Sequence, residues 1–268
     1  MSIPEEFLNA DNYYSPESDW LYMSNSQYKS FLQCEAATMA RLNGEWKEEP
    51  SEALLVGSYV HAAIEGTLDA FKAEHPELFS TRGETKGQLL AKYKQADVMV
   101  STLQNDDFIQ TIMSGLKEFP ITAEFAGTTW KAKFDIYNPN KGFISDVKTV
   151  KNIYEKVWDA TENRYTSWFQ AYGYSRQLAI YTELERIWSG RDKRLKPLVI
   201  AVSKEEIPDK AVIGMDEESI RLELEIVEEN MDHILAVKNG FFPPERCGKC
   251  GYCRSTKKIT KIIDYLEL

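Results

Sequence analysis

The segment Trp130–Lys148, WKAKFDIYNPNKGFISDVK, places two aspartates and a lysine where carboxylates are expensive. Asp135 lies in one run of strand-forming residues and Asp146 in the next. Asn138-Pro139-Asn140-Lys141-Gly142 is the turn between them. Asp146 and Lys148 are two residues apart, so on a strand they project from the same face. Inner strand positions normally take apolar side chains, and an unpaired charge there is costly. Two carboxylates on neighbouring strands make a hard-oxygen site suited to Mg²⁺ or Mn²⁺. A lysine beside such a site can orient or deprotonate a water and steady developing phosphate charge. The alternative is a hairpin edge whose Asp and Lys are solvated and paired.

Other residues could join that site. His61 and Glu65 are four apart on one predicted helix face, where the histidine could add a nitrogen ligand. Glu124 ends the strand before Asp135. Gln170, Tyr174, Gln177 and Tyr181 fall at spacings of four, three and four, a polar-aromatic stripe that could equally pack under a loop. Three of the four cysteines stand together in Cys247-Gly-Lys-Cys250-Gly-Tyr-Cys253, and Cys34 lies far upstream. Such a run reads better as metal ligation than as disulfides, with zinc or an iron–sulfur cluster as candidates. Basic residues gather in Arg186–Lys196 and Arg254–Lys261, where either cluster could meet a phosphate backbone or simply be solvated. Trp168 and Phe169 read as core residues.

The elements that must position these residues follow from periodicity. Helices are expected over 26–42, 52–72 and most of 85–116, the last two with apolar residues at helical spacing. The texture then changes to short strands at Ile121–Phe125, Trp130–Tyr137 and Gly142–Lys148. A helix over 164–189, a buried strand at Pro197–Ser203 and a long helix over 216–239 complete the pattern. It predicts an α/β protein, with a helical part over 24–116, a core over 119–203, and a final helix plus cysteine knuckle over 216–268, all within one domain.

Composition sets bounds. The 268 residues are 43% hydrophobic and 28% charged, ordinary for a soluble globular chain and ample for a core. No apolar stretch approaches membrane-spanning length, and the acidic, polar N-terminus lacks a signal-peptide pattern, so an intracellular protein without a membrane partner is expected. With 42 acids against 32 bases, the net charge of −10 argues against binding nucleic acid through a bulk field. A nucleic-acid substrate would need a local basic groove or bound cations.

The ordered set Gly57-xxx-His61, Glu124, Asp135, Asp146-Val147-Lys148 and Gln177-Leu178-Ala179-Ile180-Tyr181 resembles the PD-(D/E)XK nuclease superfamily. Within it the set is most similar to the RecB-like branch and its RecE-type exonucleases of phages and prophages. The resemblance covers roughly 24–253, with Phe134-Asp135 where Pro-Asp is expected. It implies a restriction-endonuclease-like α/β fold with a central mixed sheet. It further implies that His61, Asp135, Asp146 and the Val147 carbonyl hold Mg²⁺ or Mn²⁺, and that Lys148 is the catalytic lysine. Gln177 and Tyr181 would position the lysine or the DNA backbone, with Gln170 and Tyr174 as a second candidate pair, and Glu124 would add a ligand or substrate contact.

The same resemblance extends to the cysteines. Several RecB-like nucleases, AddB among them, hold a [4Fe–4S] cluster with one cysteine before the GxxxH helix and three after the core, as Cys34, Cys247, Cys250 and Cys253 are arranged. The final spacing is shorter here, which keeps zinc as the alternative. The implied activity is a metal-dependent exonuclease acting 5′ to 3′ on double-stranded DNA ends for recombination. It would work as a homo-oligomer in the cytoplasm of a bacterial cell or phage-infected host, with a single-strand annealing protein as partner. A single-strand-specific or opposite-polarity nuclease, and a catalytically silent DNA- or metal-binding module, are the competing readings.

Overall fold

A computed structural model describes residues 8–9, 12–47, 52–159, 163–260, 262 and 264–267. The helical part comprises α1 (Pro16–Leu21), α2 (Asn25–Gln33), α3 (Glu35–Leu42), α4 (Glu52–Glu65), α5 (Leu68–Glu74), α6 (Gln95–Gln104) and α7 (Asp107–Ile112). Then come β1 (Leu116–Phe125), β2 (Thr128–Asn138), β3 (Phe143–Val150), β4 (Lys156–Asp159) and β5 (Arg164–Ser167). The chain continues through α8 (Trp168–Ala171), α9 (Tyr174–Ser189), β6 (Lys196–Ser203), β7 (Lys210–Gly214), α10 (Glu217–Lys238) and α11 (Gly251–Ser255).

Five strands form one sheet in the order β1-β2-β3-β6-β7, with β3 and β6 parallel and the other neighbours antiparallel. This is the expected mixed sheet in an α/β architecture. Helices α9 and α10 cover one face through Ile180, Leu184, Val227 and Met231 packed on Trp130 and Phe134. Helices α4 and α6 cover the other through Val60, Met99 and Leu103 against Val147 and Ile200. Strand β6 is apolar on both sides because both faces of its sheet position are covered. Fully burying each such side chain contributes about 1.5–3 kcal/mol.

Three stretches expected as single helices are each interrupted. The 26–42 stretch breaks at Cys34, whose backbone is extended (φ −169°, ψ 105°). The 52–72 stretch breaks at Gly66 (φ 85°), between α4 and α5. The 164–189 stretch is a strand and a short helix before Gly173 (φ 68°) admits α9. The 85–116 stretch is helical only as α6 and α7, and β1 starts at Leu116 rather than at Ile121. The β4–β5 hairpin and the edge strand β7 were not expected.

Strand β2 decides where the site lies. Strand β1 occupies one of its edges throughout. On the other edge, β3 pairs only with Ile136–Asn138. Farther along that edge Met23 takes over, donating its N–H to the Thr129 carbonyl at 2.9 Å and accepting from the Lys131 N–H at 2.8 Å. Between these pairings the sheet parts, and the gap exposes Lys133 and Asp135. Two buried lysines fix the N-terminal segment that carries Met23. Lys131 Nζ donates to the Tyr13 carbonyl at 2.6 Å, Ser18 Oγ at 3.0 Å and Asp19 Oδ1 at 2.7 Å. Lys238 Nζ donates to the Asp19 and Tyr22 carbonyls and to Gln27 Oε1. Among the described residues, no helix is long and apolar enough to cross a membrane.

Candidate active site

A cavity of about 620 Å³ opens over the parted strands and is lined by His61, Glu65, Glu118, Lys133, Asp135, Asp146, Lys148, Gln177 and Tyr181, with Tyr13 and Tyr14 from the pinned N-terminal segment. Asp135 turns its carboxylate into the gap, where Oδ2 accepts the Val147 N–H at 2.8 Å. A side chain thus replaces the missing backbone partner of β3. Helix α4 lies on β3 and brings His61 Nδ1 to 3.4 Å from the same oxygen, with Glu65 Oε1 at 3.8 Å from that nitrogen. Asp146, only 4% exposed, reaches the site from β3. Its Oδ1 accepts from Gln177 Nε2 of α9 at 2.8 Å. Its Oδ2 forms an ion pair with Lys148 but, among the described residues, has no donor aligned on it.

The charges are strongly perturbed. Burial pushes the Asp146 carboxyl up to about 6 even though Lys148 opposes the shift. Burial works against the Lys148 ammonium, but Asp146 and Asp135 outweigh it and hold that pKa above its ordinary value. Burial likewise disfavours charged His61, yet Asp135 and Glu65 hold its pKa up to about 9. Two carboxylates and an imidazole facing one cavity are a donor set that fits a hard divalent cation, with Lys148 paired to one of the carboxylates.

Some expected residues sit elsewhere. Glu124 is exposed at the far end of β1 and accepts a hydrogen bond from the Thr129 hydroxyl. The β1 acid that lines the cavity is Glu118, between the Lys117–Ile136 and Phe119–Phe134 pairs and ion-paired with Lys133, its carboxyl pushed up by burial. Gln170 belongs to α8 and accepts from Thr166, away from the cavity. Tyr174, its presumed companion, stands with its ring 5.2 Å from Lys148 Nζ, so the two candidate pairs divide: Gln177 and Tyr181 line the cavity, and Tyr174 flanks the lysine. Val147 meets the site through its N–H to Asp135, while its side chain is buried in the opposite core. Glu118, Tyr13 and Tyr14 escaped the sequence reading. Glu118 sits at positive φ (50°) just after Gly115, a local kink that no periodicity reports.

The basic stretch 186–196 is largely neutralised within the fold. Arg186 and Arg194 share Glu183, and Arg191 pairs with buried Glu185. Trp168 is core, donating its indole N–H to the Ile153 carbonyl at 2.7 Å.

The four cysteines converge as expected. Their Sγ atoms lie within 4.8 Å of one another, with Cys34 to Cys253 at 3.6 Å and Cys247 to Cys253 at 3.9 Å. Backbone N–H groups of Lys249 and Cys250 lower the Cys247 thiol to about 6. The cluster can hold a metal.

A family model described as a PDDEXK-like domain of unknown function (DUF3799) matches residues 24–256. Among solved structures, the chain is similar to that of a candidate exonuclease from Eubacterium rectale, at 37% identity over 97% of each chain with a TM-score of 0.89. It also aligns with the crystal structure of SSO0001 at 15% identity, over 85% of this chain and 91% of that one, but the TM-score of 0.26 carries no argument. No curated protein matches the chain.

Proposed function

The chain belongs to the PDDEXK-like domain family, and from that premise we propose that it is a metal-dependent deoxyribonuclease that removes nucleotides from double-stranded DNA ends in the 5′ to 3′ direction. The observation that carries the reading is the convergence of His61, Asp135, Asp146 and Lys148 on one cavity beside the parted strands. The match to the Eubacterium rectale protein supports the exonuclease class.

His61, Asp135 and Asp146 would hold Mg²⁺ or Mn²⁺, with the Val147 carbonyl as a further ligand. Such an ion supplies Lewis-acid stabilisation of the phosphate and a more acidic water. Lys148 remains an ammonium because the aspartates hold its charge, so its part is to aim the attacking water and balance charge on the phosphate rather than to remove a proton. Gln177 fixes Asp146 through Oδ1, and Oδ2, paired with Lys148, would be shared with the cation. The attacking water bonds to phosphorus and gives its proton to solvent as the P–O3′ bond breaks. The 3′ oxygen leaves with a proton from solvent, and a 5′-phosphorylated nucleotide is released. The acidic net charge is compatible with this activity when cations and Lys133 and Lys148 meet the phosphates. An oligomer enclosing the DNA, an annealing-protein partner and a cytoplasmic site in a bacterial or phage-infected cell complete the proposal.

Duplexes blocked by phosphorothioates at either the 5′ or the 3′ ends test the direction. Protection by 5′ blocks alone is expected. Protection by 3′ blocks, or degradation of single strands only, would replace this reading with its opposite-polarity or single-strand alternative.

A further inference from the structure

We propose that Cys34, Cys247, Cys250 and Cys253 bind one zinc ion as a tetrahedral thiolate site, not the [4Fe–4S] cluster that the family resemblance implies. The inference rests on sulfur spacing and does not depend on the nuclease reading.

A tetrahedral ion with metal–sulfur bonds of about 2.3 Å holds its sulfurs about 3.8 Å apart. Two of the observed separations, 3.6 and 3.9 Å, lie at that figure, and no pair among the four sulfurs exceeds 4.8 Å. A cubane cluster places a separate iron under each cysteine and spreads the sulfurs to about 6 Å. The cysteines would have to move apart by about 2 Å, and their surroundings resist this. The Ala36 N–H donates to the Glu245 carbonyl at 2.9 Å, and the Glu245 N–H donates to Glu35 Oε2 at 2.8 Å, so the helix break at Cys34 is tied directly to the segment leading to Cys247. On the other side Trp46 packs so tightly over the knuckle that a Cβ on Gly251 would meet its ring at 3.3 Å. Arg246 closes the shell, donating to the Cys253 carbonyl at 3.2 Å.

The local backbone is also that of a small ion site. The Cys250 N–H points at Cys247 Sγ and the Cys253 N–H at Cys250 Sγ, both at 3.4 Å, and Gly248 turns the knuckle at φ 76°. Such N–H groups stabilise thiolates, and Arg246, Lys249 and Arg254 surround the dianionic zinc tetrathiolate in sequence. The ion would join the α2–α3 break to the end of the chain after α10. Because Ser26 of α2 lines the catalytic cavity and Met23 pairs with β2, the ion braces that wall.

The full chain, purified without oxygen, tests this by elemental analysis, absorbance and X-ray absorption. One zinc per chain, negligible iron, no band near about 400 nm and four sulfur neighbours at about 2.3 Å are expected. Brown protein with about four irons and matching labile sulfide, or protein holding no metal and taking up no zinc, would overturn the assignment. Cys253→Ser should lose the zinc. Should that variant not fold, replacement of the wild-type ion by Co²⁺ decides: the intense visible bands of tetrahedral cobalt thiolate are expected, and their absence refutes the site.

Discussion

Divalent metal binding in the cavity should expel a proton from His61. Burial disfavours the charged imidazole, but Asp135 at 3.4 Å and Glu65 at 3.8 Å hold its pKa up to about 9. An imidazole of that pKa is about 99% protonated at pH 7 and about half protonated at pH 9. The ring nitrogen must be neutral to ligate, so apparent metal affinity should rise roughly 50-fold between those pH values, about 2.3 kcal/mol. Asp146, with a pKa near 6, is mostly ionised at pH 7 and adds little. The sign for the metal-free protein is opposite. Because the folded pKa lies above the unfolded value of 6.5, the ion pair stabilises fully below pH 6.5, and that stability is lost as pH rises through 9. Calorimetric titration of Mn²⁺ at pH 7, in two buffers of different protonation enthalpy, reads the protons released. Close to one per metal is expected for the wild type and close to none for His61→Gln. A wild-type affinity that is flat from pH 7 to 9, with no proton released, would refute the reasoning.

Gln177→Leu leaves buried Asp146 Oδ1 without its donor, a loss of about 1–3 kcal/mol. It should push the Asp146 carboxyl higher still, and the acid limb of a cleavage pH profile should move up. Lys131→Met strands the Tyr13 carbonyl and Asp19. Water reaches half-exposed Asp19, so the cost falls near about 2–3 kcal/mol, read as a lowered Tm. Gly115→Ala would place a Cβ 2.7 Å from the Tyr137 carbonyl at a φ of 146°. Neither backbone can yield cheaply, and a loss of about 2–4 kcal/mol in thermal or denaturant unfolding is expected. Glu124→Gln should leave DNA cleavage within about twofold, whereas Glu118→Gln, altering the β1 carboxylate that lines the cavity, should slow it at least about tenfold.

The fold class and the residues that gather at the cavity were more legible than the bounds of the elements that carry them. Asp146 and Lys148 stood out because two charges on one face of an apolar strand demand a reason, and the sheet confirms that both point to α9 and the cavity. His61 was legible only through the ordered pattern, since a helical histidine alone says nothing about which strand it faces. Glu124 lies away from the cavity, and strand alternation could not reveal this because it does not show where β2 leaves β3. The parting depends on Met23, more than a hundred residues upstream, taking over the β2 edge. The break at Cys34 was hidden for a related reason: apolar periodicity runs through it, and only the tie to Glu245 explains an extended residue there. Strand β7 is a half-exposed edge of five residues, too short and too mixed to announce itself. Tyr13 of the cavity wall is held by Lys131, and Lys238 anchors the segment that follows it; both are buried cations that sequence alone would assign to the surface.

The most direct test of the central claim is release of label from linear duplex DNA carrying ³²P at one 5′ end, with Mg²⁺ or EDTA, beside Asp146→Asn. Labelled mononucleotide should appear rapidly with Mg²⁺, vanish with EDTA, and be absent for the variant. Intact DNA under every condition, or cleavage by the variant at the wild-type rate, would contradict the account.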